Sequence, residues 1–187
     1  MNLSDKFSQV VLEKFLVRKN GFGCYGDAPF TSDKPLTDKL LKDHLWNIGL
    51  KIGVHPSDGT KCNFSVFDID NHDNKPEIRE LNLQKMLTLK SRLEALGFHC
   101  VLEDSDGQGG LHLWLLWASP VPHDMAVAFG RGVVSDIDTG IESFPKLQVS
   151  AKDYPGGWVR LPGQHWRRRQ HTSKFLVDGK WTDDINV

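Results

Sequence analysis

Apolar residues along this chain fall into a few helical stripes separated by short, β-like runs. Phe7, Val10, Val11 and Phe15 share one face of a helix predicted from Ser4, a capping residue, to about Arg18, with Asn20-Gly21 as its stop. Residues 21–35 hold three glycines and two prolines and predict an irregular loop. Thr37 then caps a short helix, Asp38 to Trp46, whose Leu40, Leu41, His44 and Leu45 keep helical spacing. Strands are predicted over Ile48–Val54 and Asn63–Ile69, with a turn between them. Pro76 suits the first turn of a long helix to Ala95, with Ile78, Leu81, Met86, Leu89 and Leu93 as its stripe and Gly97 as its end. Phe98–Leu102 and Leu111–Trp117 predict a strand pair joined by a glycine-rich turn, and a helix follows from about His123 to Val134. The last third gives strand candidates around Phe144–Val149 and Trp158–Leu161, joined through Tyr154-Pro155-Gly156-Gly157. Helices and strands mixed in this order, with a hairpin-like pair, predict an α+β fold rather than a wound parallel sheet.

Composition narrows the picture without deciding it. A chain of 187 residues builds one compact domain, or a core plus a small lobe, and shows no internal repeat. No apolar run approaches the roughly 20 residues that span a bilayer, and the N-terminus lacks the pattern of a secretory signal. No membrane partner and a cytoplasmic location are therefore expected. Cys24, Cys62 and Cys100 are odd in number and far apart, so neither a disulfide framework nor a CxxC zinc site is indicated. The net charge of −1 argues against wholesale nucleic-acid coating. The charge is nevertheless unevenly placed: Asp68, Asp70 and Asp73 cluster, whereas Arg160, Arg167, Arg168, Arg169 and Lys174 share a stretch with no acid. A carboxylate focus with a separate basic strip suits a polyanion handled through cations.

Three groups of residues can carry chemistry. Asp68 and Asp70 stand two apart at the end of the apolar run Val66-Phe67-Asp68-Ile69-Asp70, so alternation puts both carboxylates on one face and Phe67 and Ile69 on the other. Two such carboxylates repel unless solvated or bridged by a cation, and Mg²⁺ uses one or two carboxylates together with substrate phosphates. Acids are also common at solvated strand ends. The second group is the turn Ser105-Asp106-Gly107-Gln108-Gly109-Gly110 with His112 on the following strand. Gly107 and Gly109 bring backbone amides within reach of phosphate oxygens, although glycines there also serve an ordinary hairpin. The third group is Glu142, followed by Arg160 and His165.

In combination, D-x-D, then S-x-G-x-G-G-x-H, then an acid before a basic strand, resembles the archaeo-eukaryotic primase superfamily, and especially its bacterial and mobile-element primase-polymerases. Pro35-Leu36-Thr37-Asp38, His44-Leu45, Ile52-Gly53-Val54, Glu142-x-Phe144-Pro145-Lys146 and Arg160-Leu161-Pro162-Gly163-x-His165 add to the likeness, which runs from about residue 35 to 166. The resemblance implies one catalytic core over 1–187: an N-terminal α/β module of about 1–60, an RRM-like catalytic sheet in 61–187, and a cleft between them. It implies that Asp68 and Asp70 bind Mg²⁺ or Mn²⁺, that Ser105 and His112 contact an incoming triphosphate, and that Glu142 is the third carboxylate. Asp136 and Asp138 lie close to Glu142, but on a turn-rich stretch.

The expected reaction is attack of a 3′-hydroxyl on the α-phosphorus of a dNTP or NTP over a DNA template and primer. His112 and the amides of the glycine turn are expected to hold the triphosphate. Arg160 and His165 are placed with the nucleotide, and Arg167, Arg168 and Arg169 with nucleic-acid backbone; a solvated basic tail accounts for that run equally well. The chain shows no zinc-binding cysteine cluster and no P-loop, so further domains or a helicase are expected outside it. The rivals are a non-catalytic RRM-like nucleic-acid-binding module, disfavoured because acids repel a polyanion, and a metal-dependent nuclease.

Overall fold

The computed structural model describes residues 3–18, 20–137, 140–147 and 157–184. Its centre is the succession β4 (Lys61–Ile69), α3 (Pro76–Ala95), β5 (Cys100–Asp104), β6 (Leu111–Pro122), α4 (His123–Val134) and β7 (Glu142–Phe144). This β-α-β-β-α-β order makes an RRM-like antiparallel sheet, extended by β9 (Lys174–Val177) and β10 (Lys180–Thr182) into the strand order β10-β9-β5-β6-β4-β7. Alternation along the strands gives the sheet two different faces. Phe67, Ile69, Leu111, Leu113 and Leu115 pack on Met86, Leu89 and Leu93 of α3 and Val133 of α4. Phe64, Val66, Trp114 and Phe144 face the opposite way, into a second core with Leu41, Ile52, Val54 and Leu161.

That second core belongs to a smaller sheet, ordered β2-β1-β3-β8, with β1 at Asn20–Tyr25, β2 at Pro29–Pro35, β3 at Lys51–Val54 and β8 at Val159–Arg160. Helix α1 (Leu3–Val10) runs on into a π-helical turn, Val11–Phe15, and packs on α2 (Asp38–Leu45). The molecule is α+β, as the sequence predicts, with two antiparallel sheets. No helix among the described residues is long and apolar enough to cross a membrane.

Local agreement is closest where chain punctuation is strong. Pro76–Ala95 forms as predicted, and Thr37 caps α2 by accepting from the Leu40 amide at 3.3 Å. Residues 21–35 are not an irregular loop but a hairpin. Its edge strand β2 is exposed almost throughout, so it carries no apolar alternation, and Pro29 and Pro35 sit at the ends of an edge where a missing N–H costs nothing. Gly23 and Gly53, register partners on β1 and β3, make room for the Trp158 indole: a Cβ would stand 2.0 Å from it at Gly23 and 2.4 Å at Gly53. Strand β3 begins at Lys51 rather than Ile48 because Asn47 and Gly49 take positive φ. The strand expected over Phe144–Val149 is instead Glu142–Phe144, with Pro145 next; residues 148–156, including the Tyr154–Gly156 connection, lie outside the described residues. The hairpin of β9 and β10 was not expected, although Asp178-Gly179, both at positive φ, is a strong two-residue turn signal.

One histidine ties the smaller sheet to the loop after β8. His44 is fully buried; its Nδ1 accepts the Ile52 amide at 2.9 Å, so the proton resides on Nε2, which donates to the Pro162 carbonyl at 2.9 Å. Burial, reinforced by the repulsion of Arg160 and Lys51, pushes its pKa down to about 4. A histidine neutral when folded and ordinary when unfolded leaves stability unaffected above about pH 6.5 and removes it as pH falls toward 4, by roughly 3 kcal/mol in all. Unfolding free energy measured in urea between pH 7.5 and 4.5 is expected to decline over that window, and His44→Gln to decline less steeply by up to about 1.4 kcal/mol per pH unit.

Candidate active site

A single register row crosses the larger sheet. Asp68 on β4 stands opposite Glu142 on β7 and opposite His112 on β6, and His112 in turn stands opposite Glu103 on β5. Directly opposed residues present their side chains to the same face, so this row aligns acid, acid, histidine and acid. The face is that of Phe64, Val66 and Trp114; the row is where the apolar core gives way to a cleft between the two sheets. The cleft has a volume of about 410 Å³ and brings together Asp68, Asp70, Ser105, His112, Arg160, His165, Arg167 and Arg168. Gly107, Gly109, Glu142 and Arg169 are not on its lining. Glu142 is exposed and accepts from Lys146 Nζ at 2.7 Å, while remaining the cross-strand neighbour of Asp68. Asp136, one of its rivals in the sequence, is paired with Arg92 at 2.5 Å; Asp138 lies outside the described residues.

Electrostatics sharpen the row. Glu103 is 0 % exposed, yet three donors hold it: His112 Nδ1–H at 2.9 Å, Trp114 Nε1–H at 2.7 Å and Ser173 Oγ–H at 2.5 Å. Burial works against its charge, but His112, Arg160 and Ser173 outweigh burial and hold its pKa down to about 2. His112 is the mirror case: burial favours the neutral ring, and Asp68 and Glu103 on either side raise its pKa nonetheless. Its Nε2 is 3.6 Å from Asp68 Oδ1, too far for a hydrogen bond. Asp68 is pushed up to about 6, by burial first and then by Asp70, Glu142 and Glu103, with His112 opposing.

The glycine turn is built differently from expectation. Asp104 Oδ1 accepts the Gly107 amide at 2.7 Å, and Asp106 Oδ1 accepts those of Gln108 and Gly110 at 2.7 and 2.8 Å. The Gly107 amide is thus engaged within the turn, which corrects the picture of an open phosphate cradle. The glycines answer to space instead: a Cβ on Gly107 would lie 2.6 Å from His171, and one on Gly109 would lie 2.8 Å from the Arg79 backbone. What the turn does present is Ser105, buried at the cleft, whose carbonyl accepts from Arg160 Nη2 at 2.6 Å. Two asparagines that carry no signal in the sequence clamp the parts together. Asn82 donates to the carbonyls of Asp70 and Gly109, and Asn71 to that of Gln108, so the D-x-D strand end and the turn are tied to each other.

The opposite wall is cationic and aromatic. Arg160 is buried, and among the described residues it forms no ion pair. Lys51, opposite Tyr25 in register, is also buried, and no ion pair to it occurs among the described residues; burial lowers its pKa, and repulsion by Arg169 and Arg160 adds to that. His165 Nδ1 accepts the amides of Arg167 and Arg168, leaving Nε2 as the protonated nitrogen, and burial with Arg160 and Arg168 brings its pKa to about 4. The three consecutive arginines separate. Arg168 is committed to Asp106 and, at 2.7 Å, to Asn74; Arg167 lies 4.2 Å above the Trp166 ring; Arg169 is exposed. Tyr25 stacks on Trp166 at 4.8 Å and meets Trp158 edge-on at 4.8 Å, which braces this wall against the smaller sheet.

Asp68 Oδ1 is buried and has no hydrogen-bond partner among the described residues. An orphaned carboxylate oxygen beside a second carboxylate, Asp70, fits a divalent cation. Among the described residues no three His, Cys, Asp or Glu converge to cage a metal by themselves. Mg²⁺ does not require that, since it uses one or two carboxylates and fills its shell with water and phosphate oxygens.

No curated protein matches the chain. Among solved structures it is similar to the polymerase domain from Mycobacterium tuberculosis ligase D in complex with DNA, with 12% identity, a TM-score of 0.50, and coverage of 92% of this chain and 73% of that one. At that identity the likeness shows the fold. The family model described as "TOTE conflict system, Archaeo-Eukaryotic Primase domain" matches residues 5–184. The chain therefore belongs to the archaeo-eukaryotic primase domain family of TOTE conflict systems, a family-level assignment to nucleotidyl transfer.

Proposed function

We propose that the chain catalyses template-dependent nucleotidyl transfer, as a DNA primase, a DNA polymerase or both, with Mg²⁺ or Mn²⁺ held by Asp68, Asp70 and Glu142. The observation that carries this reading is the buried, unpartnered Oδ1 of Asp68, set between Glu142 and His112 in a cleft whose facing wall is cationic. The cleft volume falls in the range of pockets that bury a nucleotide-sized ligand. Family membership supports nucleotidyl transfer; dNTPs or NTPs as substrates and a DNA template-primer as partner are carried over from that family, and the charge layout suits such polyanions.

Within that reading each residue has a task. Asp68, raised and desolvated, gains from a cation that it lacks when alone. With Glu142 and Asp70 it would hold the divalent ions, whose chemistry when bound would be to acidify the attacking 3′-hydroxyl and to offset the charge of the departing pyrophosphate. His112 Nε2–H donates to a phosphate oxygen of the triphosphate, and Arg160, anchored by the Ser105 carbonyl, supplies fixed positive charge beside it. Neutral His165 offers its Nε2–H without adding repulsion to Arg160. Arg167 and Arg169 hold backbone phosphates, whereas Arg168 positions the glycine turn through Asp106.

Labelled primer-template incubated with dNTPs and Mn²⁺ is expected to be extended; cleavage would favour a nuclease, and retention without reaction a binding module. In that assay Asp68→Ala with Asp70→Ala is expected to abolish addition while leaving the thermal midpoint unchanged or raised, because it relieves carboxylate repulsion. Full extension by the double variant overturns the proposal. His112→Ala is expected to raise KM for the nucleotide by about tenfold or more, the worth of one charged hydrogen bond, and to change kcat less. Glu142→Ala is expected to lose activity where Asp136→Ala, which breaks only the Arg92 pair, keeps it. Loss in Asp138→Ala with activity retained in Glu142→Ala would move the third carboxylate and leave the polymerase reading standing.

A further inference from the structure

The row that positions Asp68 also contains a carboxylate that the proposed chemistry does not use. Glu103 is wholly buried one strand beyond His112 and cannot reach the cleft without displacing the ring. A buried carboxylate is costly unless saturated with donors, and this one is: His112 and Trp114 both donate to Oε2, and Ser173 donates to Oε1. We propose that Glu103 is a positioning residue that anchors the Nδ1–H of His112 and so turns the ring's Nε2–H edge into the cleft, where it meets a phosphate oxygen. This rests on the nucleotide-binding reading of His112.

The geometry argues for it in three steps. An imidazole on a strand can rotate about its terminal torsion, and a phosphate donor that rotates loses the directionality on which its hydrogen bond depends. Glu103 removes that freedom from behind, because only Nδ1–H pointing toward β5 satisfies Oε2. Trp114, two residues along the same strand, donates to the same oxygen, so that oxygen is itself held in place. The front nitrogen then has no hydrogen-bond partner among the described residues; the group nearest it, Asp68 Oδ1, stands at 3.6 Å. The charged groups acting on the ring are Glu103 from β5, Asp68 from β4 and Arg160 from β8. A metal ion nearest Asp68 would leave Nε2–H for the ligand.

Glu103 also reaches the other wall. Ser173, its partner on Oε1, accepts the Gly163 amide at 2.9 Å. Gly163 lies between Arg160 and His165. One buried carboxylate therefore sets the back of His112 and the loop that carries the cleft's two other nucleotide-facing donors.

The test begins on the unaltered protein. Long-range ¹H–¹⁵N correlation of ¹⁵N-histidine protein, with His112 assigned by its loss in His112→Gln, is expected to show a protonated Nδ1. Mg²⁺ with inorganic triphosphate is expected to shift its Nε2 resonance. Glu103→Ala is expected to abolish the Nδ1–H signal and, by letting the ring swing its remaining N–H away from the cleft, to weaken triphosphate binding by about tenfold. Glu103→Gln, which keeps a hydrogen-bonding group behind the ring, is expected to restore most of that affinity; a carboxylate that served packing alone would leave the Nδ1–H signal in place when removed. A bare Nδ1 in the unaltered protein overturns the proposal, and so does a Glu103→Ala protein with an unchanged Nδ1–H signal and affinity. If Glu103→Ala fails to fold, the unaltered protein and Glu103→Gln decide alone. A protein that shows the protonated Nδ1 and the triphosphate response but extends no primer keeps Glu103 in this role and overturns the polymerase reading; one that extends primers with a bare Nδ1 does the reverse.

Discussion

The crowding of charge in one row of the larger sheet, Glu142, Asp68, His112 and Glu103, is the constraint around which the molecule is arranged. Three carboxylates and a histidine on neighbouring strands, at the lip of an apolar core, would be unstable if all charges were exposed only to one another. The fold divides the problem. At the buried end Glu103 is neutralised by His112 and saturated by Trp114 and Ser173. At the open end Asp68 is left with an unpartnered oxygen and a pKa near 6. The unresolved charge is thus confined to the position that faces the cleft, where a ligand or cation can resolve it.

The second sheet makes that confinement possible. It covers the face of Phe64, Val66 and Trp114, so the row lies at a boundary between core and solvent instead of on an open sheet surface. Its strand β8 brings Arg160 over the glycine turn, and Trp158 lies against the glycine pair of β1 and β3 to hold that strand near. A side chain at Gly23 or Gly53 would displace the indole, so the cleft's width depends on residues that touch no part of the carboxylate row. Buried cations on one wall and incompletely satisfied acids on the other are each unfavourable alone. Together they complement a polyphosphate accompanied by divalent cations, which carries both signs of charge.

Much of this is legible in the sequence, for specific reasons. Asp68 and Asp70 follow an alternating apolar run, and the period of two by itself assigns both to one face. Pro76, Gly97 and Thr37 punctuate their helices strongly. His112 is legible through the strand that follows the glycine turn, and Glu142 through its adjacency to a strand candidate. The residues that escape notice act across sequence distance. Glu103 reads as the first residue of the glycine-rich turn, since nothing local shows that it continues the strand or that Ser173, seventy positions away, donates to it. Asn71, Asn82 and Lys51 look like solvated polar residues until the register places them. The hairpin of residues 20–35 is hidden because one strand is exposed throughout and the other is interrupted by a glycine that exists to seat Trp158.

The glycine turn shows where spacing misleads. A serine, three glycines and a histidine suggest a loop whose amides face a phosphate, and the same residues would serve such a loop. Yet Asp104 and Asp106, which lie beside and within the motif, are the nearest anions, and they accept the amides of Gly107, Gln108 and Gly110. An acidic residue two or three positions before an amide competes with any ligand for it, through the side-chain-to-backbone bonding that aspartate favours in turns. The turn is therefore closed on itself by its own aspartates, and its contribution is to place the Ser105 carbonyl under Arg160 at the cleft's edge. Under the proposed function, the side chains held from behind by that turn and by a buried carboxylate are what a triphosphate meets, and such preorganisation limits the reorientation needed when charge develops at the reacting phosphate.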